Sequence, residues 1–359
     1  MKLHIFNPDH DLALAANLPN FTAPHAGRQL RSDLAYIPAL WADEGDLVLV
    51  DDIDSARLKA QRLSRRLAER VEFITIHQLE KALKDGCFVD SIRPWGWNVA
   101  LKRELQRIGT PDIMLPTDDA LLQIRNISSR EWASYHLQKD VAYVTGIPQL
   151  RAVLAQRGSV VVKAPWSSSG RGVRYLSLSE TDGSTAGGLT PTERWVENII
   201  RTQGGVTVEP LYNKVKDFGM EFEMREGKVR YLGLSLFQTQ KNAYTGNVLA
   251  TEDEKLQMLS PYVSAGQLEQ VREKIIGGIE PVIRNIYSGP FGVDMMVCAS
   301  GTEGGACFVN PCVELNLRRT MGHVALAIGA PADEPKRMMQ VAFDGSHYHL
   351  SIRKIEPTE

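Results

Sequence analysis

The chain is poor in the features that mark several large protein classes. It holds only four cysteines, Cys87, Cys298, Cys307 and Cys312, in 359 residues. They do not stand at CxxC spacing and fall far short of the density of a disulfide scaffold. Three of them lie in apolar, strand-like stretches, where a free thiol behaves as a small buried hydrophobe, so a reducing cytoplasm is expected. No apolar run approaches a membrane span, and the opening MKLHIFNPDHD has nothing resembling a signal peptide. An excess of one charge is missing too, since 41 basic and 43 acidic residues leave a net charge of -2. Neither nucleic acid nor a membrane is therefore an expected partner. The densest basic run, residues 57–70, reads as the solvated face of an amphipathic helix. There is no Walker A motif, no GxGxxG, no Ser-His-Asp or Cys-His signature and no internal repeat.

What is present suffices for a sizeable core, with 43% of residues hydrophobic. The length implies two or three lobes. Residues 2–6 read as a strand that empties into Asn7-Pro8-Asp9-His10-Asp11. Strands at 47–50 and 71–76 alternate with helices at 55–70 and 99–108, the last stopped by Gly109. That alternation predicts a small open α/β lobe with a parallel sheet. Ligands of such sheets sit beyond the carboxyl ends of the strands, where the NPDHD loop and residues 93–98 both fall. His10 and Asp11 either touch a substrate there, or the Asn and Asp residues of the loop simply cap the following LALA helix. No second His or Cys stands at ligand spacing to make this a metal site.

A second region starts near Pro116, with a helical pattern at 118–124 and a helix start at Ser128-Ser129-Arg130-Glu131. Residues 160–165 form a β-branched strand with Lys163 at its end, and a lysine leaving a buried strand needs an anionic partner or a path to water. The loop that follows holds Ser167, Ser168, Ser169, Gly170 and Gly172. Such small residues let main-chain N–H groups close on a phosphate, or form an ordinary hairpin loop. Residues 179–192 read as a polar, mobile loop and 193–203 as a helix. Pro210 predicts that strand 206–211 is an edge or a linker. The KDFGMEFEM strand puts Glu221 and Glu223 on one face, after Asp217. A strand at 230–239 leads into a polar and aromatic loop at 241–247. Ser264 and Gln267 form a capping box for a core helix, and the chain ends in a strand at 348–355.

The chemistry concentrates in residues 289–298 and 308–323, two strand-like stretches joined by the turn-forming SGTEGG segment. Strict alternation puts Asn310, Glu314 and Asn316 on one face, Val309, Val313 and Leu315 on the other, and Asp294 opposite Val293 and Met295. Two carboxylates and an amide on one wall suit Mg²⁺ held together with substrate phosphates, or else form a merely solvated polar face.

Taken in order, the lysine strand, the Ser/Gly loop, VEPL, the acidic GMEF strand, Lys241, Asp294 and Glu314-Leu315-Asn316 resemble the ATP-grasp superfamily. The resemblance spans the chain from about Thr117 onward. It implies an α/β and α+β protein, with a Rossmann-like pre-ATP-grasp lobe at 1–115, a first ATP-grasp subdomain at 116–207 and a second, with the metal site, at 208–359. It implies that Lys163 meets the α- and β-phosphates and the backbone of residues 167–172 the β- and γ-phosphates. Glu209, Pro210 and Leu211 become the hinge on the adenine edge, Glu221 the acid for the ribose, Asp217 a second candidate for that role, and Lys241 another phosphate contact. Asp294, Glu314 and Asn316 become ligands of one Mg²⁺ ion or two, with Mn²⁺ able to substitute. Arg130 departs from the pattern by standing where a lysine is common, and the 179–192 loop interrupts the first subdomain. The family reaction is usually ligation: a carboxylate attacks the γ-phosphate, and an amine displaces phosphate from the acyl phosphate. One of Arg318 and Arg319 then clamps the carboxylate or the acyl-phosphate oxygens, or else the two form a surface pair at a helix start. A kinase acting on a small-molecule hydroxyl and a nucleotide-binding protein without turnover are the alternatives. The carboxylate and amine are small molecules of unknown identity, and a homodimer is the assembly to test.

Overall fold

The computed structural model describes residues 1–359 other than 87–88, 168–171, 182–187, 241–242, 301–305, 332–333 and 356–359. Cys87, Ser168, Ser169, Gly170 and Lys241 lie outside the described residues.

Strands β1 (Lys2–Ile5), β2 (Leu47–Leu49), β3 (Glu72–Ile74) and β4 (Ser91–Pro94) form a parallel sheet in the order β3-β2-β1-β4. Apolar clusters cover both faces, so the centre of the sheet is apolar, with Leu3, Ile5, Leu47, Val48 and Leu49 buried. The strand order reverses at β1, which opens a crevice at its carboxyl end. There the two expected loops meet, Asn7 Nδ2 donating to Gly96 O at 2.8 Å. The capping alternative fails at this point. Asp9 stands at the N-cap of helix His10–Ala16 but its side chain makes no cap bond, and Asn7 is engaged with Gly96. The helix expected at 55–70 is two, Ile53–Leu63 and Arg65–Arg70, because Ser64 adopts an extended backbone between them. Helices His25–Leu34 and Ile76–Lys84 were not expected, and the capping box of Thr75 with Gln78 stops β3 early.

A second, antiparallel sheet holds β5 (Ala142–Val144), β6 (Ser159–Lys163), β7 (Val173–Ser177) and β8 (Val206–Pro210) in the order β5-β8-β6-β7. β8 is therefore internal, against the edge or linker expected. Pro210 is its last residue, where the missing N–H costs no bond in the body of the ladder. The boundary expected at 207/208 falls inside this strand. The supposed loop after β7 begins with a helical turn, Leu178–Thr181, and ends on the Thr190 capping box of helix Pro191–Gln203.

The remainder supplies β9 (Asn213–Arg225), β10 (Lys228–Ser235), β11 (Phe237–Gln240), β12 (Ala243–Leu249), β13 (Gly289–Ala299), β14 (Cys307–Asn316), β15 (Arg337–Phe343) and β16 (Tyr348–Lys354). They form two further antiparallel sheets, β10-β9-β13-β14 and β11-β12-β15-β16. The stretch read as one strand over 230–239 is divided between these sheets, and most of the loop read at 241–247 belongs to β12. The core helix is Ala265–Ile283, started by the Ser264 and Gln267 capping box. Helix Met321–Ile328 replaces the end of the second strand-like stretch.

Two clusters set how these layers meet. Leu121, Ile124 and Leu137, from the helices before the second sheet, pack with Phe218, Phe222, Phe291 and Ile279 under the third. Phe6, Leu34 and Trp95 of the first lobe pack with Val324, Met339 and Leu350. Apolar packing thus joins the first, third and fourth sheets, the second keeps a core of its own around Val160, Val162, Val206 and Val208, and residues from or next to all four sheets line one cleft. Among the described residues no helix is long and apolar enough to cross a membrane.

Candidate active site

The cleft has a volume of about 470 Å³. Lys163, the last residue of β6, reaches into it and ends 2.7 Å from Glu209 Oε2 on the neighbouring strand β8. Both side chains are buried, 7% and 3% exposed, so the lysine from the buried strand has found its anion within its own sheet. Arg130 is 5% exposed and fastens three elements together. Its Nη1 donates to Ala164 O and Ser167 Oγ, each at 2.8 Å, and its Nη2 to Glu314 Oε1 at 2.7 Å. A Cβ at Gly172 would stand 2.3 Å from Ser167, so only glycine lets the loop close back on its own start.

Asp294 and Glu314 are cross-strand partners on β13 and β14 and both line the cleft. Asn316 Nδ2 donates to Asp294 Oδ2 at 3.1 Å, while its Oδ1 accepts from Arg318 Nη2 at 2.8 Å. Strict alternation breaks beyond Glu314. A register shift between the Asp294/Glu314 and Met296/Asn310 pairs turns Val313 into the cleft, while Asn310 Oδ1 accepts from Cys312 N. Asn310 thus leaves the wall on which alternation had put it.

Burial, with repulsion from Glu314 and Glu221, pushes the Asp294 carboxyl up to about 8. A divalent cation would relieve that repulsion. Among the described residues no group of three or more His, Cys, Asp or Glu side chains could hold a metal by itself. Two carboxylates and an amide are, however, the partial set that Mg²⁺ shared with phosphates takes. Two buried atoms beside this wall, Arg130 Nε and Glu209 Oε1, have no hydrogen-bond partner among the described residues, which also fits a polar ligand.

Arg318 and Arg319, adjacent in sequence, diverge. Arg318 lines the cleft with Asp11, its Nε 2.9 Å from Oδ1 and its Nη2 2.7 Å from Oδ2. Burial alone would lower the arginine pKa, but Asp11 raises it. Burial likewise opposes the charge on Asp11, and Arg318 holds that carboxyl below its usual range. This is not a surface pair. Arg319 turns to the first lobe, its guanidinium 4.2 Å from the ring centre of Trp41 and its N–H donating to Trp95 O. It is absent from the cleft lining, so the structure does not bring it to the other candidates.

Glu221 sits in the floor at 1% exposure. Its carboxylate accepts from Ser235 Oγ at 2.7 Å and Thr320 Oγ1 at 2.8 Å, with His323 Nδ1 3.0 Å away. An acid so engaged is poorly placed to reach a ribose. Asp217 is half-buried nearer the lip and accepts from Lys214 Nζ and Thr239 Oγ1, at 2.6 and 2.7 Å. Leu211 stands at the rim, 52% exposed, after Glu209 and Pro210. Sequence reasoning missed Ser235, Thr320 and His323. Thr320 and His323 share a capping box at the start of helix Met321–Ile328, and that spacing was the available signal.

A mixed α/β protein with this cleft between antiparallel sheets, behind a parallel-sheet lobe, is the class that the geometry defines. No family model matches the chain, and no curated protein matches it. Solved structures do. The biotin carboxylase of Campylobacter jejuni, in a β-γ-ATP complex, is similar over 95% of this chain and 75% of its own, at 11% identity and a TM-score of 0.51. N5-carboxyaminoimidazole synthetase of Staphylococcus aureus, complexed with ADP, is similar over 96% and 83%, at 13% identity and a TM-score of 0.49. The chain has the ATP-grasp fold.

Proposed function

We propose that the chain is an ATP-dependent ligase that activates a carboxylate as an acyl phosphate and joins it to an amine, releasing ADP and phosphate. The observation that carries this reading is the Asp294 and Glu314 pair facing across β13 and β14, with Lys163, Arg130 and Arg318 lining the same cleft. Adenine would lie in the apolar slot of Val161, Val173, Met295 and Met296, closed by the segment from Glu209 to Leu211. Lys163 would exchange Glu209 for phosphate oxygens, and Arg130 would offer phosphate its free Nε. Asp217, close to the lip, suits the ribose better than Glu221. Asp294, Glu314 and the amide oxygen of Asn316 would hold Mg²⁺, which when bound offsets charge on the transferred phosphoryl group. Arg318 faces the same point, and a substrate carboxylate would compete with Asp11 for its fork. Such a transfer rests on positioning and charge stabilisation and needs no protein nucleophile. The neighbour solved in its β-γ-ATP complex supports a nucleotide here.

The test is to assay ADP and free phosphate in parallel, with Mg-ATP and pooled carboxylates and amines. Equal ADP and phosphate, dependent on both pools, is the expected result. ADP without phosphate would make the chain a kinase, and failure to bind ATP would overturn both readings.

A further inference from the structure

The cleft is polar at its waist and apolar at two separate ends. One end is the slot assigned to adenine. The other is walled by Phe6, Leu30, Leu34, Trp95, Met321 and Val341, which belong to the cluster joining the first lobe to the β11-β12-β15-β16 sheet. Their side chains come from the ends of β1 and β4, from β15 and from two helices, yet all of them open into the same cleft.

We infer that this second end takes an apolar, aryl-sized group of the substrate whose carboxylate or amine reacts at the waist, which deepens the ligase reading and rests on it. Two observations carry the inference. Of the cleft-lining charges, Asp11 and Arg318 neutralise each other and Glu221 is engaged by Ser235 and Thr320, so a charged substrate body would be desolvated against Leu, Phe and Trp without an unengaged counter-ion. The wall is also built for orientation. Asn247 on β12 stands opposite Met339 on β15, and Val341 lies two residues on, so Asn247 and Val341 share a face. Asn247 is 1% exposed and its Oδ1 accepts from Tyr244 Oη at 2.5 Å, while its Nδ2 has no partner among the described residues. A buried amide donor left this way is satisfied by an oxygen of the ligand. An apolar body with one well-placed acceptor oxygen is the substrate that meets both conditions.

The test measures binding apart from turnover, by titration calorimetry with and without saturating Mg-ADP. The probes are 3-(4-methoxyphenyl)propionate and 2-(4-methoxyphenyl)ethylamine, phenyl compounds with an acceptor oxygen on the apolar body, compared with succinate and 1,4-diaminobutane. At least one phenyl probe should bind more tightly than its polar counterpart. Leu30→Gln and Val341→Asn, both at half-buried positions, should weaken it about tenfold and leave Mg-ADP affinity unchanged, which also reports that each variant is folded. Equal or tighter binding of the polar probes, failure of both phenyl probes, or indifference to both substitutions would overturn the inference. If the phenyl probes bind as expected but no carboxylate and amine yield ADP and phosphate, the pocket stands and the ligase reading falls. If ADP and phosphate form only with polar substrates, the ligase reading stands and the pocket falls.

Discussion

Arg318 and Asp11, 307 positions apart, form a two-point ion pair that ties the first turn of helix His10–Ala16 to the turn after β14. Side-chain exposures of 16% and 17% leave each charge dependent on the other. Arg318→Ala should therefore cost about 3 kcal/mol of stability, because Asp11 stays behind largely buried and unpaired. The double variant Asp11→Asn with Arg318→Ala should recover part of that loss. Urea denaturation of both singles and the double decides it, and additive effects would mean the pair is not coupled.

Glu314 serves two neighbours, accepting from Arg130 and facing Asp294. Glu314→Gln keeps the shape but removes the charge that would hold Mg²⁺. Under the ligase reading, turnover should fall about a hundredfold or more, while nucleotide affinity without Mg²⁺ changes little. ADP release by this variant at close to the parental rate would remove Glu314 from the metal site.

Gly322 opens a helix, where alanine is ordinarily favoured over glycine by about 1 kcal/mol. Here the sign reverses. An added Cβ would stand 1.9 Å from Glu221 Oε1 and 2.7 Å from Ser235 Oγ, both part of the buried floor. Gly322→Ala should destabilise by about 1–3 kcal/mol. A chemical-denaturation midpoint equal to or above the parent's would show that the floor can move aside.

Asp33 accepts from Tyr348 N, Gln29, Lys59 and His347, linking helix His25–Leu34 to β16. Burial opposes its charge, yet these donors outweigh burial and hold the carboxyl down to about 2. A pKa lower in the folded than in the unfolded chain stabilises above the ordinary carboxylate range. That gain, about 2 kcal/mol, is lost as pH falls from about 4 through 2. Asp33→Asn should cost a similar amount at pH 7 and flatten the acid limb of stability. Parallel acid limbs in parent and variant would contradict the assignment.

Local pattern made much of this protein legible. The parallel lobe follows from short apolar strands alternating with helices. The helix from Ser264 follows from its capping box, and the Asp294 and Glu314 wall from residues close in sequence on one hairpin. These features depend on neighbours a few positions apart, which is the range over which strand and helix periodicity act. The same reasoning failed where distant contacts decide. Pro210 suggested an edge strand, but β8 is held between β5 and β6 by partners 44 to 66 residues away. Asn310 fits the alternation, yet the bulge in β14 turns it back on its own strand. Arg318 and Arg319 look equivalent as a pair in sequence, and only the packing of the first lobe sends one to Asp11 and the other to Trp41. Nothing in the chain order announces that Leu30, Trp95 and Val341 share one wall. The sequence by itself determined the parallel lobe, the capped core helix and the strands that carry Lys163, Asp294 and Glu314. Only the tertiary structure decided which charges are already paired and where the apolar end of the cleft lies, because both depend on contacts that local periodicity does not encode.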